Sequence, residues 1–286
     1  MTYEDMLTIA GNSMKGKCSA CPVCNGRACR NRIPGPGAKG VGDTAIRNYD
    51  KWQEIRLNMD TMWENGPIDT TAELFGRTFR LPVFAGPVGA VSSHYGDKHD
   101  DMSYNDILVS ACADSGIAAF TGDGVNPVVM EAATKAVKAA GGLGVPTVKP
   151  WGKTVVAEKM RLVKEAGALK AKEAGAAGIV VSNHGGRVLD GCPATAEVLP
   201  KIVEALKGSG VTVLVDGGIR TGTDVFRALA LGADGVIIAR PFVTAVYGGG
   251  AEGVKLCVDK LAGELADAMA MCGAAKVSEI CREMVR

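Results

Sequence analysis

The chain has 286 residues, of which 47% are hydrophobic, 5% aromatic and 22% charged, and its formal net charge is +1. This length and composition are typical of a compact enzyme with one large α/β domain or two small ones, and they exclude disordered and fibrous chains. A nearly neutral chain gives no electrostatic basis for binding nucleic acid or an anionic membrane. Since we find no apolar run long enough for a membrane span and no export signal, we expect a cytoplasmic protein without membrane or nucleic-acid partners.

The start of the chain differs from the rest, and we treat residues 1–45 as a Cys-rich N-terminal segment. Four of the nine cysteines lie close together here, at Cys18, Cys21, Cys24 and Cys29. Four thiolates at this spacing can bind one zinc ion or one iron–sulfur cluster, and the C-x2-C-x2-C portion resembles cluster-binding sequences. The alternative is a redox-sensitive loop that carries no metal, and the sequence leaves both open.

The remaining residues, 46–286, are predicted to form one β/α domain. A polar helix over residues 44–65 is expected to pack across one end of it. From residue 81 onward, buried apolar strands alternate with helices, and each strand ends in a polar or glycine-rich loop. The predicted strands lie near residues 83, 118, 147, 180, 213 and 237, and the predicted helices span residues 105–115, 128–140, 154–166, 195–206 and 224–231. Repeating units of about 30 residues with right-handed crossovers indicate a parallel sheet, with a closed β/α barrel as the leading architecture.

A histidine and an arginine stand at the end of the strand near residue 180. His184 lies where the strand stops, and imidazole can take and return a proton near neutral pH. Arg187 offers a planar fork of donors that suits a carboxylate. A base beside a carboxylate clamp indicates a small organic acid as substrate. The structural alternative is that His184 caps the strand and Arg187 pairs with Asp190.

The last two predicted strands are followed by residues that suit a phosphate. In β/α barrels the site forms at the C-terminal ends of the strands, and the final strands often bind phosphate. Asp216, Gly217 and Gly218 follow one of these strands, and Arg240 follows the other. Glycine N–H groups can approach an anion closely, while Arg220 and Arg240 supply positive charge. The alternative is that the two glycines only form a tight turn.

Three motifs in this order resemble the FMN-dependent α-hydroxy-acid dehydrogenases and oxidases, a family that includes glycolate oxidase and lactate oxidase. They are Ser-Asn-His-Gly-Gly-Arg with Leu-Asp over residues 182–190, Asp-Gly-Gly-Ile-Arg-Thr-Gly-Thr-Asp-Val over residues 216–225, and Ala-Leu-Ala-Leu-Gly-Ala over residues 228–233. The resemblance implies a (β/α)8 TIM-type barrel that carries FMN and oxidises a small 2-hydroxy acid, such as lactate or glycolate, to the 2-oxo acid. It also implies a homo-oligomer, since relatives are often tetramers.

The same resemblance assigns roles to individual residues. His184 takes the proton and Arg187 binds the substrate carboxylate. Lys149, at a predicted strand end, is a flavin-adjacent candidate. The other residues assigned to FMN are Ala85, Gly86, Pro87, Thr121, Gly122, Ser182, Asp216, Gly217, Gly218, Arg220, Ala239 and Arg240. Hydride removal needs an electron sink that no side chain provides, so the cofactor is chemically required.

The sequence supplies fewer strands than the resemblance implies, six against the eight of a closed barrel. Lys-Glu-Ala-Gly-Ala occurs at residues 164–168 and again at residues 172–176, as two helix ends with no buried strand between them. A strand–helix–strand piece is therefore missing near residue 168. Either the natural barrel is incomplete, or this sequence lacks a segment that the intact protein possesses.

Two other functions stay open at this point. A flavin-type isopentenyl diphosphate isomerase shares the barrel and the phosphate loops, although Arg187 is placed for a carboxylate. A non-catalytic flavin- or metal-binding protein would account for the missing piece. An iron–sulfur cluster at the four cysteines would carry electrons onward and favour a dehydrogenase over an oxidase.

Overall fold

The computed structural model describes residues 1–29, 40–64, 66–124, 126–165 and 177–286. These residues fall into two compact units. Unit 1 is built from Met1–Pro22, Phe84–Gly175 and Ala239–Val258, and unit 2 from Val23–Val83, Ala176–Ile238 and Asp259–Arg286.

Helices and strands alternate through most of the described chain. The α-helices are α1 (Tyr3–Ser13), α2 (Asp43–Glu54), α3 (Val91–Tyr95), α4 (Asp101–Asp114), α5 (Pro127–Ala139), α6 (Lys153–Glu165), α7 (Thr195–Ala205), α8 (Gly222–Ala230) and α9 (Arg240–Cys272). The strands are β1 (Ala72–Leu74), β2 (Arg77–Phe79), β3 (Val83–Ala85), β4 (Ala118–Ala119), β5 (Gly178–Val181), β6 (Thr212–Val215) and β7 (Gly235–Ile238). None of these helices combines the length and the hydropathy needed to cross a membrane.

Unit 1 contains a parallel pair of short strands and the helices that cover it. In this pair Phe84 of β3 lies opposite Ala118 of β4. Helix α4 begins at a capping box, in which the Asp100 carboxylate accepts a hydrogen bond from the Ser103 backbone N–H at 2.8 Å. The core of this unit is apolar and aromatic, and its fully buried side chains include Phe84, Tyr104, Leu108, Met130, Phe242 and Tyr247.

Unit 2 contains three parallel strands in the order β5–β6–β7 and a small antiparallel hairpin, β1–β2. Every residue of β7 is buried. Such continuously apolar, β-branched sequences are typical of parallel strands that are covered on both faces. Because parallel strands point the same way, the polar residues that follow β5 and β6 lie at the same edge of this sheet. This edge carries the residues at 182–187 and 216–220.

Five of the six predicted strands are confirmed, near residues 83, 118, 180, 213 and 237. The strand predicted at residues 146–149 is wrong, since only an isolated parallel bridge between Phe120 and Val145 occurs there. Pro146 has no N–H for a ladder, and the Lys149 N–H donates instead to the Asp123 carboxylate at 2.7 Å.

Other differences concern helix bounds and barrel closure. The helix predicted over residues 44–65 ends at Glu54, and Leu57 already forms an antiparallel bridge with Val285. Helix α1 and the β1–β2 hairpin have no counterpart in the sequence prediction. Within the described ranges there are parallel strands but no closed eight-stranded barrel, and the expected strand–helix–strand deletion near residue 168 lies outside those ranges.

Candidate functional site

The residues that follow β5 form a short turn, which we call the His184 turn (residues 182–187). His184, Gly185 and Gly186 have φ values of 57°, 62° and 75°, so three consecutive residues are left-handed. A non-glycine residue in this region is uncommon and persists only where the surrounding structure holds it. Ser182 supplies part of that hold, since its Oγ accepts the His184 backbone N–H at 3.0 Å and donates to Asp216 Oδ2 at 2.8 Å. The backbone of His184 is thus fixed while the residue itself stays exposed.

Helix α2 packs directly against the His184 turn. A Cβ on Gly186 would lie 2.4 Å from the backbone nitrogen of Ala45, so only glycine allows this approach. The side-chain amides of Asn48 and Asn183 exchange two hydrogen bonds, at 2.7 and 2.9 Å. Asn183 Oδ1 also accepts the Gly186 N–H at 3.1 Å. The turn is therefore held by β5 on one side and by α2 on the other.

Asp190 binds the start of α2 and is not the partner of Arg187. Its carboxylate accepts backbone N–H groups from Val41, Gly42 and Thr44 at 2.6, 2.9 and 2.8 Å. These donors, with that of Thr44 the largest contributor, hold the pKa of Asp190 well below its usual range. The half-buried Arg187 has no acidic partner among the residues that the structure describes. Its guanidinium can therefore receive a carboxylate from a ligand.

The loop after β6 is held by α2 and α7. Trp52 Nε1 donates to the Gly217 carbonyl oxygen at 2.8 Å, and Thr195 Oγ1 donates to the Asp216 carbonyl oxygen at 2.6 Å. Gly218 lies against the backbone of Asn48. The Arg220 guanidinium reaches the Cys24 carbonyl oxygen through Nε at 2.7 Å and the Ile219 carbonyl oxygen through Nη1 at 2.6 Å.

Unit 1 carries the other residues that the sequence assigns to FMN. Ala85 and Gly86 are buried at the end of β3, whereas Pro87 is exposed. A Cβ on Gly122 would lie 2.2 Å from the Val88 carbonyl oxygen, so the loops after β3 and β4 are in backbone contact. The Thr121 hydroxyl is fully buried and has no hydrogen-bond partner within the described ranges.

These features fit the flavin that the sequence predicts. A buried hydroxyl without a protein partner is expected to bond to a ligand or water, and the polar edge of an isoalloxazine offers both donors and acceptors. Arg240 is the first residue of α9 and follows the half-buried Ala239. Because a helix N-terminus favours anions, Arg240 and the N-terminus of α9 suit the phosphate group.

The environment of Lys149 contains functional candidates that the sequence did not reveal. Lys149 is exposed, and its backbone N–H bonds to Asp123, a buried residue that follows Gly122. Asp123 also forms an ion pair with the buried Lys159. The signal in the sequence was an acidic residue between two glycines in the loop after β4, but its partner comes 36 residues later.

The structure does not support the predicted zinc or iron–sulfur site at Cys18, Cys21, Cys24 and Cys29. Across the described residues, no group of three or more His, Cys, Asp or Glu side chains is arranged to hold a metal ion. Cys24 contributes its backbone carbonyl to Arg220, and the Cys29 Sγ approaches the Gly26 carbonyl oxygen at 3.8 Å. The Cys24 contact ties this part of the segment to the loop after β6.

Comparison with known proteins identifies the family. The family model described as FMN-dependent dehydrogenase matches residues 36–163 and 160–286. A peroxisomal (S)-2-hydroxyacid oxidase of Arabidopsis thaliana is 52% identical over 119 residues, which cover 42% of this chain and 32% of the relative. An L-lactate oxidase of Alicycliphilus denitrificans is 49% identical over 110 residues, which cover 38% of this chain and 30% of the relative. The matches thus span about a third of the length of these curated relatives.

The fold comparison covers more of the chain. A solved structure of mandelate oxidase aligns over 100% of this chain and 97% of its own, with a TM-score of 0.68 and 23% identity. At this identity the likeness shows a shared fold, which supports the α/β-barrel class predicted from the sequence. The family model covers nearly all of the chain after residue 35. The chain belongs to the family of FMN-dependent dehydrogenases.

Proposed function

We propose that this protein oxidises a small 2-hydroxy acid, of the size of lactate or glycolate, to the corresponding 2-oxo acid. The names of its relatives support this substrate class, since they include a (S)-2-hydroxyacid oxidase and an L-lactate oxidase. The isomerase alternative has no support among the named relatives. FMN, when bound, supplies the electron sink that accepts the hydride.

The single observation that carries the proposal is the construction of the His184 turn. It presents an imidazole and a guanidinium three residues apart on a backbone fixed by Ser182, Asn183 and Gly186. Arg187 binds the substrate carboxylate through two N–H groups, which orients the 2-hydroxyl group. His184 takes the hydroxyl proton as general base, which makes removal of the hydride from the adjacent carbon possible.

Each unit contains residues that the sequence assigns to FMN. In unit 1 they are the loop residues Ala85, Gly86, Pro87, Thr121 and Gly122, with Lys149, Ala239 and Arg240. In unit 2 they are Ser182, Asp216, Gly217, Gly218 and Arg220. The buried Thr121 hydroxyl and the position of Arg240 at the start of α9 support these assignments.

An anaerobic substrate screen tests the proposal. The protein is loaded with FMN and mixed without oxygen with lactate, glycolate or mandelate, while flavin absorbance is recorded. We expect at least one of these acids to bleach the flavin. Propionate, which has the carboxylate but no hydroxyl, is the control and should leave the absorbance unchanged. A flavin-loaded protein that no 2-hydroxy acid bleaches would overturn the proposal.

A further inference from the structure

A buried carboxylate in unit 1, Asp123, gathers three donors from one later segment of the chain. Asp123 is 4% exposed. Its Oδ2 accepts hydrogen bonds from the Lys149 backbone N–H and from Trp151 Nε1–H, both at 2.7 Å. Its Oδ1 accepts a hydrogen bond from the Lys159 ammonium, which also donates to the Gly124 carbonyl oxygen at 2.9 Å. One side chain therefore fixes the middle of α6 and the residues before this helix against the loop after β4.

The indole of Trp151 is held at both its edge and its face. The edge donates its N–H to Asp123. The Lys159 Nζ lies 4.8 Å from the ring centroid, which is within cation–π range. The Lys149 Nζ lies 6.0 Å from the same centroid. With these contacts Trp151 is restricted to one orientation.

This cluster lies next to the loops that we assign to FMN. Asp123 directly follows Thr121 and Gly122. A Cβ on Gly89 would lie 3.4 Å from the backbone nitrogen and oxygen of Asp123, so the loop after β3 also packs against it. A change in the position of Asp123 would therefore move both loops, and with them the buried Thr121 hydroxyl.

A contribution to folding stability does not explain why the Asp123–Lys159 ion pair is buried. Removing two charges from water is unfavourable, and buried ion pairs often contribute no more than apolar residues of the same volume. Burial by itself would raise the pKa of Asp123, but the donors from Lys149, Lys159 and Trp151 outweigh burial and leave the pKa below its ordinary value. The carboxylate is thus charged and accepts hydrogen bonds at both oxygens, which suits a role in fixing positions.

We propose that the Asp123–Lys159 ion pair is a positioning device for FMN, which holds Trp151 and the Thr121 loop in the geometry that the flavin ring requires. The inference rests on the proposed function, because FMN is the group that the proposed reaction needs. Asp123 and Lys159 are positioning residues that act through Trp151 and Thr121.

Titration of the apoprotein with FMN tests this inference, with flavin fluorescence as the readout. Asp123→Asn keeps the shape of the side chain and removes its charge, and Lys159→Met removes the opposite charge. We expect each variant to bind FMN at least about tenfold more weakly than the wild-type protein. Lys153→Met makes the same substitution at an exposed position of α6 and should leave FMN affinity unchanged. Thermal unfolding of each apoprotein is recorded in parallel.

A second pair of variants covers the case in which the charge variants fail to fold. Trp151→Phe keeps an aromatic ring but removes the N–H that bonds to Asp123. We expect it to weaken FMN binding at least about threefold, whereas Trp63→Phe, in unit 2, should leave binding unchanged. If folded variants of Asp123, Lys159 and Trp151 all bind FMN within about twofold of the wild-type protein, the inference is wrong and the proposed function stands. A folded wild-type protein that binds no FMN would overturn both.

Discussion

The side-chain amides of Asn48 and Asn183 form a reciprocal pair, with Nδ2 to Oδ1 distances of 2.7 and 2.9 Å in the two directions. Asn48 lies in α2 and Asn183 lies directly before His184, so the pair joins this helix to the His184 turn. Asn48 Oδ1 also accepts the Thr195 backbone N–H at 3.2 Å. The position of the proposed base thus depends on a helix that precedes it by more than 130 residues in the chain.

Replacement of either asparagine should lower the free energy of unfolding, and the losses from the two replacements should not be additive. Asn48→Ala removes both hydrogen bonds of the pair, which we expect to cost about 1–3 kcal/mol in the free energy of unfolding. Asn183→Ala should cost a similar amount. Because both changes remove the same interaction, the double variant should lose at least about 0.5 kcal/mol less than the sum of the single losses. Urea unfolding of the four proteins measures this difference, and simple additivity would contradict the pairing.

Gly186→Ala should be more destabilising than a replacement of another left-handed glycine that has open space around it. Both Gly186 and Gly191 have positive φ, at 75° and 78°. A Cβ at Gly186 meets Ala45 N at 2.4 Å, whereas one at Gly191 meets nothing within 4 Å. We expect Gly191→Ala to cost about 1–2 kcal/mol for its backbone conformation, and Gly186→Ala to cost about 1–3 kcal/mol more. Chemical unfolding measures both losses. Equal losses of unfolding free energy in the two variants would show that α2 does not constrain the His184 turn.

The contribution of Asp190 to stability should disappear in acid. Its pKa in the folded protein lies below the unfolded value of about 3.9, because it accepts N–H groups from the start of α2. The unfolded state therefore takes up the proton first, and the stabilisation is complete above about pH 4 and is lost as the pH falls through the folded pKa. The wild-type protein should exceed Asp190→Asn in unfolding free energy at pH 7. That advantage should shrink at pH 3. An advantage of equal size at both pH values would show that folding does not lower the pKa of Asp190.

Arg187 should govern substrate binding through its planar fork. Arg187→Met removes a charge-assisted hydrogen-bonding group, and we expect KM for the 2-hydroxy acid to rise by about 10- to 100-fold. Arg187→Lys keeps the charge but not the fork, so its KM should fall between those of wild-type protein and the Met variant. Steady-state kinetics gives KM and kcat separately. An Arg187→Met variant with unchanged KM would exclude a carboxylate clamp at this residue.

The strands around the candidate site were predictable because their signal is local. The β-branched apolar residues of β5, β6 and β7 lie together in the sequence, and glycines or polar residues end each strand. His184 and Arg187 could be proposed for the same reason. The Asn48–Asn183 pair and the Asp123–Lys159 pair could not, since their partners are 135 and 36 residues apart. The residue pattern of one segment does not show which distant segment its side chains will contact.

Two of the errors have the same origin. The strand predicted at residues 146–149 does not form, because Asp123 takes the Lys149 N–H that a ladder would use. The helix predicted to continue to residue 65 ends at Glu54, because Leu57 forms an antiparallel bridge with Val285 near the C-terminus. The four cysteines are close in sequence, yet among the described residues they are not arranged to hold a metal ion. In the first two cases a tertiary contact overrode a local preference.

Anaerobic rapid mixing with the best 2-hydroxy acid, of wild-type protein and of His184→Gln, both loaded with FMN, tests whether His184 is the base. Glutamine retains the polarity of the position but cannot act as a base near neutral pH. We predict that flavin reduction slows by at least about 100-fold in the variant, while its affinity for FMN stays within about twofold of wild type. A variant that reduces FMN at the wild-type rate would contradict the assignment of His184 as the base.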